Sequence, residues 1–255
     1  MTYVIAVSGK GGTGKTTLAA MVVRALLDLK RKPVFAVDAD PNACFGLALN
    51  VDANDTIGDL RDEIIEDPRN IPAGMSKPDY VDYRLRGCVV ESEGFDLISM
   101  GRSEGPHCYC YINNLLRYFL DSLDEKYRYV VVDNEAGMEH LSRHTTRDVD
   151  LLLVVSDPTI MGLKSVARIK KLADSLDVNI RRLGLVLNRD SGELGDRQKA
   201  EIQASGLDVW GRIPNDETVL SYALEGKSIM DLPSDSLALT AVRTMLQRIW
   251  QPVAV

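Results

Sequence analysis

The 255 residues predict an α/β fold, a doubly wound and mostly parallel sheet with helices on both faces, and three observations carry that expectation. Short runs rich in β-branched residues recur along the chain. Segments of helical period lie between them, and a glycine-rich loop joins the first run to the first helix. The runs Tyr3–Val7, Pro33–Val37, Phe95–Met100, Tyr129–Val132, Leu151–Val155, Leu183–Leu187 and Val209–Ile213 are almost continuously apolar. Strands with one wet face alternate; continuous apolar runs belong to strands covered on both faces of a parallel sheet. In Thr16–Lys30 the residues Leu18, Val22, Ala25, Leu26 and Leu29 recur at helical spacing and form one apolar face. Met161–Ser175 and Leu237–Ile249 behave the same way. Strands alternating with helices are the pattern of an α/β layer structure. The stretch 64–93 breaks the rhythm with Pro68, Pro72, Gly74, Pro78 and Gly87 among many charges. It reads as an insertion with short irregular strands inside one domain spanning residues 1–255.

Composition narrows the function classes. Hydrophobic residues make up 45% and charged residues 26% of the chain, the balance of an ordinary globular protein. A chain of this length buries roughly 70–75% of its unfolded surface, so it needs no disulfide framework, and four cysteines would not supply one. No apolar run approaches the ~20 residues of a membrane span, and the opening MTYVIAVSGKGG is not a signal peptide. The formal net charge of -7 argues against nucleic acid and anionic membranes as partners. A cytoplasmic location is the expectation, and there cysteines serve metal or redox chemistry more often than crosslinking.

The strand Tyr3–Val7 runs into Gly9-Lys10-Gly11-Gly12-Thr13-Gly14-Lys15-Thr16-Thr17, where a helix begins. This satisfies G-x-x-x-x-G-K-[ST] with a strand before it and a helix after it, the context that the motif needs. Glycines let backbone N–H groups turn inward around phosphate oxygens, and the first helical turn adds unpaired amides and the positive end of its dipole. In such a loop Lys15 places a charge on the β and γ phosphates of ATP or ADP, and Thr16 offers its hydroxyl to magnesium.

The second lysine, Lys10, makes GKGGTGKTT resemble the deviant loop of the MinD/ParA/nitrogenase-iron-protein class of ATPases, P-loop NTPases of the SIMIBI type. That resemblance implies a homodimer in which Lys10 reaches across the interface to the partner's phosphates. It implies that Val37-Asp38-Ala39-Asp40-Pro41 is the first switch, with Asp38 in the magnesium shell and Asp40 orienting the attacking water. Val130-Val131-Val132-Asp133 looks like the Walker B strand, Asp133 holding magnesium through water, and Asn134-Glu135-Ala136-Gly137 like the second switch. The resemblance also assigns adenine recognition to Asn188, at the end of a strand, and closure over the base to Pro214 and Asn215 in Ile213-Pro214-Asn215-Asp216-Glu217.

Cys108-Tyr109-Cys110 follows the strand Phe95–Met100 and precedes a helical stretch beginning near Asn113. A helix N-terminus favours thiolate, the form that ligates metal. Two thiolates are half of a tetrahedral zinc site, and two chains meeting on a two-fold axis supply four. GPHCYC, an amphipathic helix, the Walker B strand and EAGMEHL together resemble the CooC-type nickel-insertion ATPases that mature carbon monoxide dehydrogenase. The likeness runs from Gly9 to the IPND segment. It implies a homodimer that binds nickel or zinc through paired C-x-C motifs, coupled to ATP, with a carbon monoxide dehydrogenase-type enzyme as client. His107 precedes Cys108 and is a solvated loop residue or a further ligand. His140 and His144, four apart, share a face if that stretch is helical. Cys44, beside the first switch, and Cys88, in the insertion, read as packed or merely exposed.

Two other readings compete. A partitioning or positioning ATPase of the MinD/ParA type would bind DNA or membrane through basic surface, yet Leu237–Trp250 carries only Arg243 and Arg248 and reads as a core helix. An iron–sulfur carrier or reductase would place a cluster cysteine in the second switch, and Asp133–Leu141 has none. A cluster shared by two C-x-C motifs stays open, since four thiolates also suit iron–sulfur chemistry. The client enzyme, the physiological metal and the direction of coupling are not set by these residues.

Overall fold

A computed structural model describes residues 2–66, 71–102, 114, 117–120, 126–136, 148–175 and 178–250. The strands are β1 (Tyr3–Gly9), β2 (Val34–Ala39), β3 (Val90–Glu91), β4 (Phe95–Ser99), β5 (Tyr129–Asn134), β6 (Asp148–Val149), β7 (Leu151–Ser156), β8 (Asn179–Ile180), β9 (Leu183–Asp190) and β10 (Val209–Pro214). Eight of them form one sheet in the order β10-β9-β7-β1-β5-β2-β4-β3, and β6 pairs with β8 separately. Every pairing in the large sheet is parallel except β3 with β4. All seven strand runs expected from the sequence are present, several extended by one to three residues at the C-terminal end. Among the added residues are the polar Asp38, Asp133, Asn134 and Asn188, whose backbone continues the ladder past the apolar run.

The helices are α1 (Lys15–Asp28), α2 (Phe45–Leu49), α3 (Ile57–Glu66), α4 (Lys77–Gly87), α5 (Ile160–Ser175), α6 (Asp196–Ser205), α7 (Glu217–Glu225) and α8 (Leu237–Trp250), with a short 3-10 turn at Ile229–Asp231. Each face of the sheet carries its own core. One joins Ile5, Val7, Val34, Ala36, Leu97 and Val131 to Leu18, Val22 and Leu26 of α1 and Leu239, Val242 and Leu246 of α8. The other joins Phe35, Val37, Ile98 and Val132 to Leu60 of α3, Tyr80 and Leu85 of α4, Phe119, and Leu163 and Val166 of α5. Both faces are dry, which is why the strands read as continuous apolar runs.

One expectation is corrected. The proline-rich stretch contains a regular helix, α4, not only short irregular strands. Ser76 caps it, its hydroxyl accepting from the Asp79 N–H at 3.3 Å. Pro78 lies in the first turn, where its missing N–H costs nothing, and Arg84 and Arg86 face the negative end of the dipole in the last turn. Tyr80, Val81 and Leu85 point into the core. The only strand in this segment among the described residues is β3.

Two contacts hold α8. Trp250 packs edge-on against Tyr129 with ring centres 5.8 Å apart, and the Arg31 guanidinium lies 4.3 Å from its ring centre while donating to the Tyr129 hydroxyl at 2.6 Å. At the other end Asp216 caps α7, accepting from the Thr218 N–H at 2.9 Å, and also accepts from the Ser236 hydroxyl at 2.8 Å and the Ala238 N–H at 3.0 Å. Burial acts to raise the pKa of this carboxyl, but the hydrogen bonds from Ala238, Ser236 and Thr218 outweigh it and hold the pKa below its ordinary value. A carboxyl depressed in the folded state stabilises above its unfolded pKa and loses that stabilisation as pH falls through the folded one. Asp216→Ala is expected to destabilise the protein by about 2 kcal/mol at pH 7, the sum of a lost cap and two orphaned donors. Denaturant midpoints for wild type and variant at pH 7 and near pH 3 check this: the gap should narrow at the acid end.

Candidate functional site

Sheet register decides what meets at the C-terminal edge. Val7 lies beside Asp133, Asp133 beside Asp38, and Asp38 beside Ser99, so three polar side chains form a row across β5, β2 and β4. Side chains alternate along a strand, and this row falls on the same face as Val131, Ala36 and Leu97, the face covered by α1. The glycine-rich loop leaves β1 above this row. Ligands of open parallel sheets bind at this edge, where the connections from neighbouring strands diverge.

The two lysines of the loop are placed differently. Lys15, the first residue of α1, is 8% exposed, whereas Lys10 is exposed at the outer rim with Gly11 and Gly12. Thr13 is buried and closes the loop on itself, its hydroxyl donating to the Lys10 carbonyl at 2.8 Å. Gly14 has φ +87°, and a Cβ there would lie 2.4 Å from Asn188 Nδ2. The loop therefore requires glycine on both conformational and steric grounds. Asn188 is what crowds it: its side-chain amide donates to the Thr13 carbonyl at 2.8 Å, tying β9 to the loop. Asn188, Pro214, Asn215 and Gly14 line one cavity of about 130 Å³, together with Thr17, Met21, Val219, Leu220 and Ala223. The residues expected to receive the base are thus brought together, over an apolar floor.

The acidic residues are also brought together. Asp38 is fully buried and its carboxylate accepts from the Asp40 N–H at 3.1 Å and the Phe45 N–H at 2.8 Å. Burial pushes its pKa to about 6 against the pull of those N–H groups. Asp133 is 1% exposed, and neither of its oxygens has a hydrogen-bond partner at close geometry, the Thr16 hydroxyl being the nearest side-chain donor. Burial pushes its pKa to about 7; the Thr16 hydroxyl and Lys15 pull it down, and Asp38 pushes it up. Two buried carboxyls beside one lysine form a site short of positive charge. Thr16, Asp38 and Asp133 thereby fit a divalent cation, whose charge and oxygen preference match hard carboxylate and hydroxyl donors. Asp40 is half-buried, with its carboxylate occupied by the Asn42 N–H at 2.9 Å and the Asn42 amide at 2.8 Å.

Several contacts here were not legible in the sequence. Asn134, expected only as the start of the second switch, donates from its side chain to the Val7 carbonyl at 2.9 Å, clamping the end of β5 to the strand that feeds the loop. Arg102 donates to Asn42 at 2.9 Å, joining the chain beyond β4 to the first switch. Arg189, in the left-handed region at φ 54°, donates to the Gly12 carbonyl at 3.3 Å. Each contact joins residues dozens of positions apart, and no local pattern announces it. Ser99 carried no motif either.

Cys108, Cys110, His107, His140 and His144 lie outside the described residues. Among the described residues no group of three His, Cys, Asp or Glu is arranged to hold a metal ion. Cys44 is exposed, with its thiol 3.5 Å from the Asn42 carbonyl, and Cys88 is buried, its thiol pushed up to about 11 chiefly by burial. No helix among the described residues is long and apolar enough to cross a membrane.

Comparisons with known proteins agree with this geometry. Residues 4–229 match the CobQ/CobB/MinD/ParA nucleotide binding domain. An uncharacterized ATP-binding protein of Methanocaldococcus jannaschii is 38% identical over 248 residues, 96% of this chain and 98% of its own. The carbon monoxide dehydrogenase accessory protein CooC of Rhodospirillum rubrum is 32% identical over 247 residues, 89% of each chain. The cell division ATPase MinD of Pyrococcus furiosus superposes with a TM-score of 0.71 at 23% identity, covering 98% of both chains. With its deviant loop, its parallel sheet and these relatives, the chain belongs to the CobQ/CobB/MinD/ParA nucleotide-binding family and is an ATPase of the MinD/ParA class.

Proposed function

We propose that this ATPase is a metallochaperone: a nucleotide-switched homodimer that carries nickel or zinc on paired Cys108-Tyr109-Cys110 segments and assists metal insertion into a carbon monoxide dehydrogenase-type enzyme. The observation that carries the proposal is the 32% identity to CooC over 89% of both chains, in a sequence that retains a C-x-C pair. The packing of α8 supports it against a membrane-targeting role, because Leu239, Val242, Leu246 and Ile249 are spent in the core.

In this reading ATP lies along the loop, with its base in the cavity between Asn188 and the Pro214–Asn215 turn and its phosphates at the N-terminus of α1. The amides of Gly11, Gly12, Thr13, Gly14, Lys15, Thr16 and Thr17 face the phosphates, and Gly9 lets the start of the loop lie close against β7, where a Cβ would meet the Val155 carbonyl at 2.4 Å. Lys15 neutralises the β and γ phosphates from inside the fold. Lys10, exposed at the rim, is placed to serve a facing subunit. Thr16, Asp38 and Asp133 would hold magnesium, which supplies charge neutralisation on the phosphates. Asp40 orients the attacking water once its carboxylate is released from Asn42. A change in the first switch then passes to Arg102 through Asn42, and Arg102 stands six residues before Cys108.

The two lysines give separable outcomes. Lys15→Ala should abolish nucleotide binding, because the loop loses its internal charge. Lys10→Ala should bind nucleotide normally and lose ATP-driven dimerisation and most hydrolysis, about 10³-fold by analogy with a lost phosphate-stabilising cation. Fluorescent nucleotide titration with sedimentation in ATP checks both, and a fully active monomeric Lys10 variant removes the cross-subunit role.

Asp40→Ala should bind ATP and dimerise yet hydrolyse it about 10²-fold or more slowly, as expected for loss of a positioned proton acceptor. Single-turnover hydrolysis measures this, and wild-type turnover by the variant takes Asp40 out of the mechanism.

For the cargo, equilibrium dialysis should find one zinc or nickel ion per dimer. The double variant Cys108→Ala/Cys110→Ala should lose that ion and keep nucleotide binding. Retention of the metal by the variant places the ion elsewhere. A wild-type chain that binds no metal tightly but pellets with DNA or anionic vesicles favours the partitioning reading instead.

A further inference from the structure

Ser99 is the last residue of β4, and its hydroxyl is buried without a hydrogen-bond partner. The residue is 1% exposed. An orphaned buried hydroxyl costs about 1–3 kcal/mol, and such groups survive mainly where function uses them. Its position is specific. Ser99 pairs with Asp38, Asp38 pairs with Asp133, and all three side chains fall on the face that carries the loop helix. Ser99 therefore flanks Asp38 on the side away from Asp133.

In the free protein both oxygens of Asp38 are held by backbone N–H groups of one segment, residues 40–46. Its oxygens accept from the Asp40 N–H of the first switch and the Phe45 N–H at the start of α2, with the Gly46 N–H also acting on the carboxylate. The loop between these residues is the segment that must rearrange if Asp38 is to serve a cation and Asp40 a water. When it does, at least one oxygen of a buried carboxylate loses its donor. The start of α2 is packed tightly on β4, because a Cβ at Gly46 would lie 3.4 Å from Leu97 Cδ2, besides meeting the Val51 carbonyl just after α2 at 2.7 Å. The neighbouring strand, in contrast, is rigid and already carries a donor with nothing to bind.

We propose that Ser99 is a positioning residue of the ATPase site: its hydroxyl is the reserve donor to the Asp38 carboxylate, taken up when the 40–46 segment gives up one of its bonds. Ser99 keeps Asp38 aimed at the cation during the switch and exchanges an orphaned hydroxyl for a charge-assisted hydrogen bond. The cost of leaving it unpaired in the free protein then favours the rearranged loop. The proposal rests on the reading of Asp38 as a magnesium-shell residue.

Ser99→Ala tests it, with Ser99→Thr as the variant that retains a hydroxyl. In the free protein Ser99→Ala should not lower the melting temperature, since no bond is lost. Affinity for ADP in EDTA should equal that of wild type. With magnesium, kcat should fall about tenfold and the magnesium concentration for half-maximal activity should rise, about 1.4 kcal/mol of lost stabilisation. The extra thermal stabilisation that magnesium confers on the ADP complex should shrink in parallel, and Ser99→Thr should recover most of both. Magnesium dependence and kcat of Ser99→Ala within twofold of wild type overturn the proposal. So does a melting temperature of the free variant lowered enough to account for the lost activity. Asp38→Asn separates the two readings: an unchanged magnesium requirement in that variant overturns the role of Asp38 itself, and that of Ser99 with it.

Discussion

Parallel register is the constraint on which the site depends. In a parallel sheet every strand points its C-terminal end to the same edge, so residues one step past the apolar run of each strand become neighbours regardless of their distance in sequence. Asp38 and Asp133 stand 95 positions apart and face one another across a single strand spacing because Ala36 pairs with Val131 and Val37 with Val132. The dry cores on both faces make that register hard to slip. A shift by one residue would turn Asp38 and Asp133 into the opposite core and bring Val37 and Val132 to the loop face.

That placement creates an electrostatic problem inside the fold. Burial raises both carboxyls well above their ordinary range; backbone N–H groups oppose it at Asp38, and the Thr16 hydroxyl and Lys15 oppose it at Asp133. The free protein holds Asp38 with backbone N–H groups from the switch and the start of α2, and leaves Asp133 with the Thr16 hydroxyl and Lys15 as its nearby counterweights. The switch loop is thus held in its resting form by the residue to which the proposed function gives the magnesium. In the proposed function, a cation arriving with nucleotide would relieve the charge deficit and compete with the loop for the same carboxylate. Ligand binding and loop movement become one equilibrium, because both draw on one pair of oxygens.

The base side of the site is tied in by similar economy. Asn188 holds the loop through Thr13 while lining the base cavity, and Asp216 joins the turn at Pro214–Asn215 to the start of α8. Beyond α7, the Ser228 hydroxyl donates to the Ala48 carbonyl at 2.8 Å, which fastens the following turn to α2, the helix that Asp38 caps. Base cavity and first switch therefore share a connected frame of hydrogen bonds rather than a single flexible hinge.

How much of this was legible follows from the range over which each feature is encoded. The fold class, the seven strand runs and the phosphate loop are local: apolar runs of strand length, helical spacing, and a motif within nine residues. The family likeness of Lys10, Asp38, Asp40, Asp133 and Asn188 was equally readable, because each sits at a strand end inside a short recurring pattern. The helix at Lys77–Gly87 was misread since prolines suggest irregularity, and only its capped first turn and its inward Tyr80 and Leu85 reveal why Pro78 is tolerated. Sequence by itself determined which residues stand at the C-terminal ends of the strands, because periodicity and burial preference act along the chain. Only the tertiary structure decided that Ser99 lies beside Asp38, that Asn134 clamps Val7 and that Arg102 reaches Asn42, because strand order and register are set by packing between distant segments, where no local pattern exists to be read.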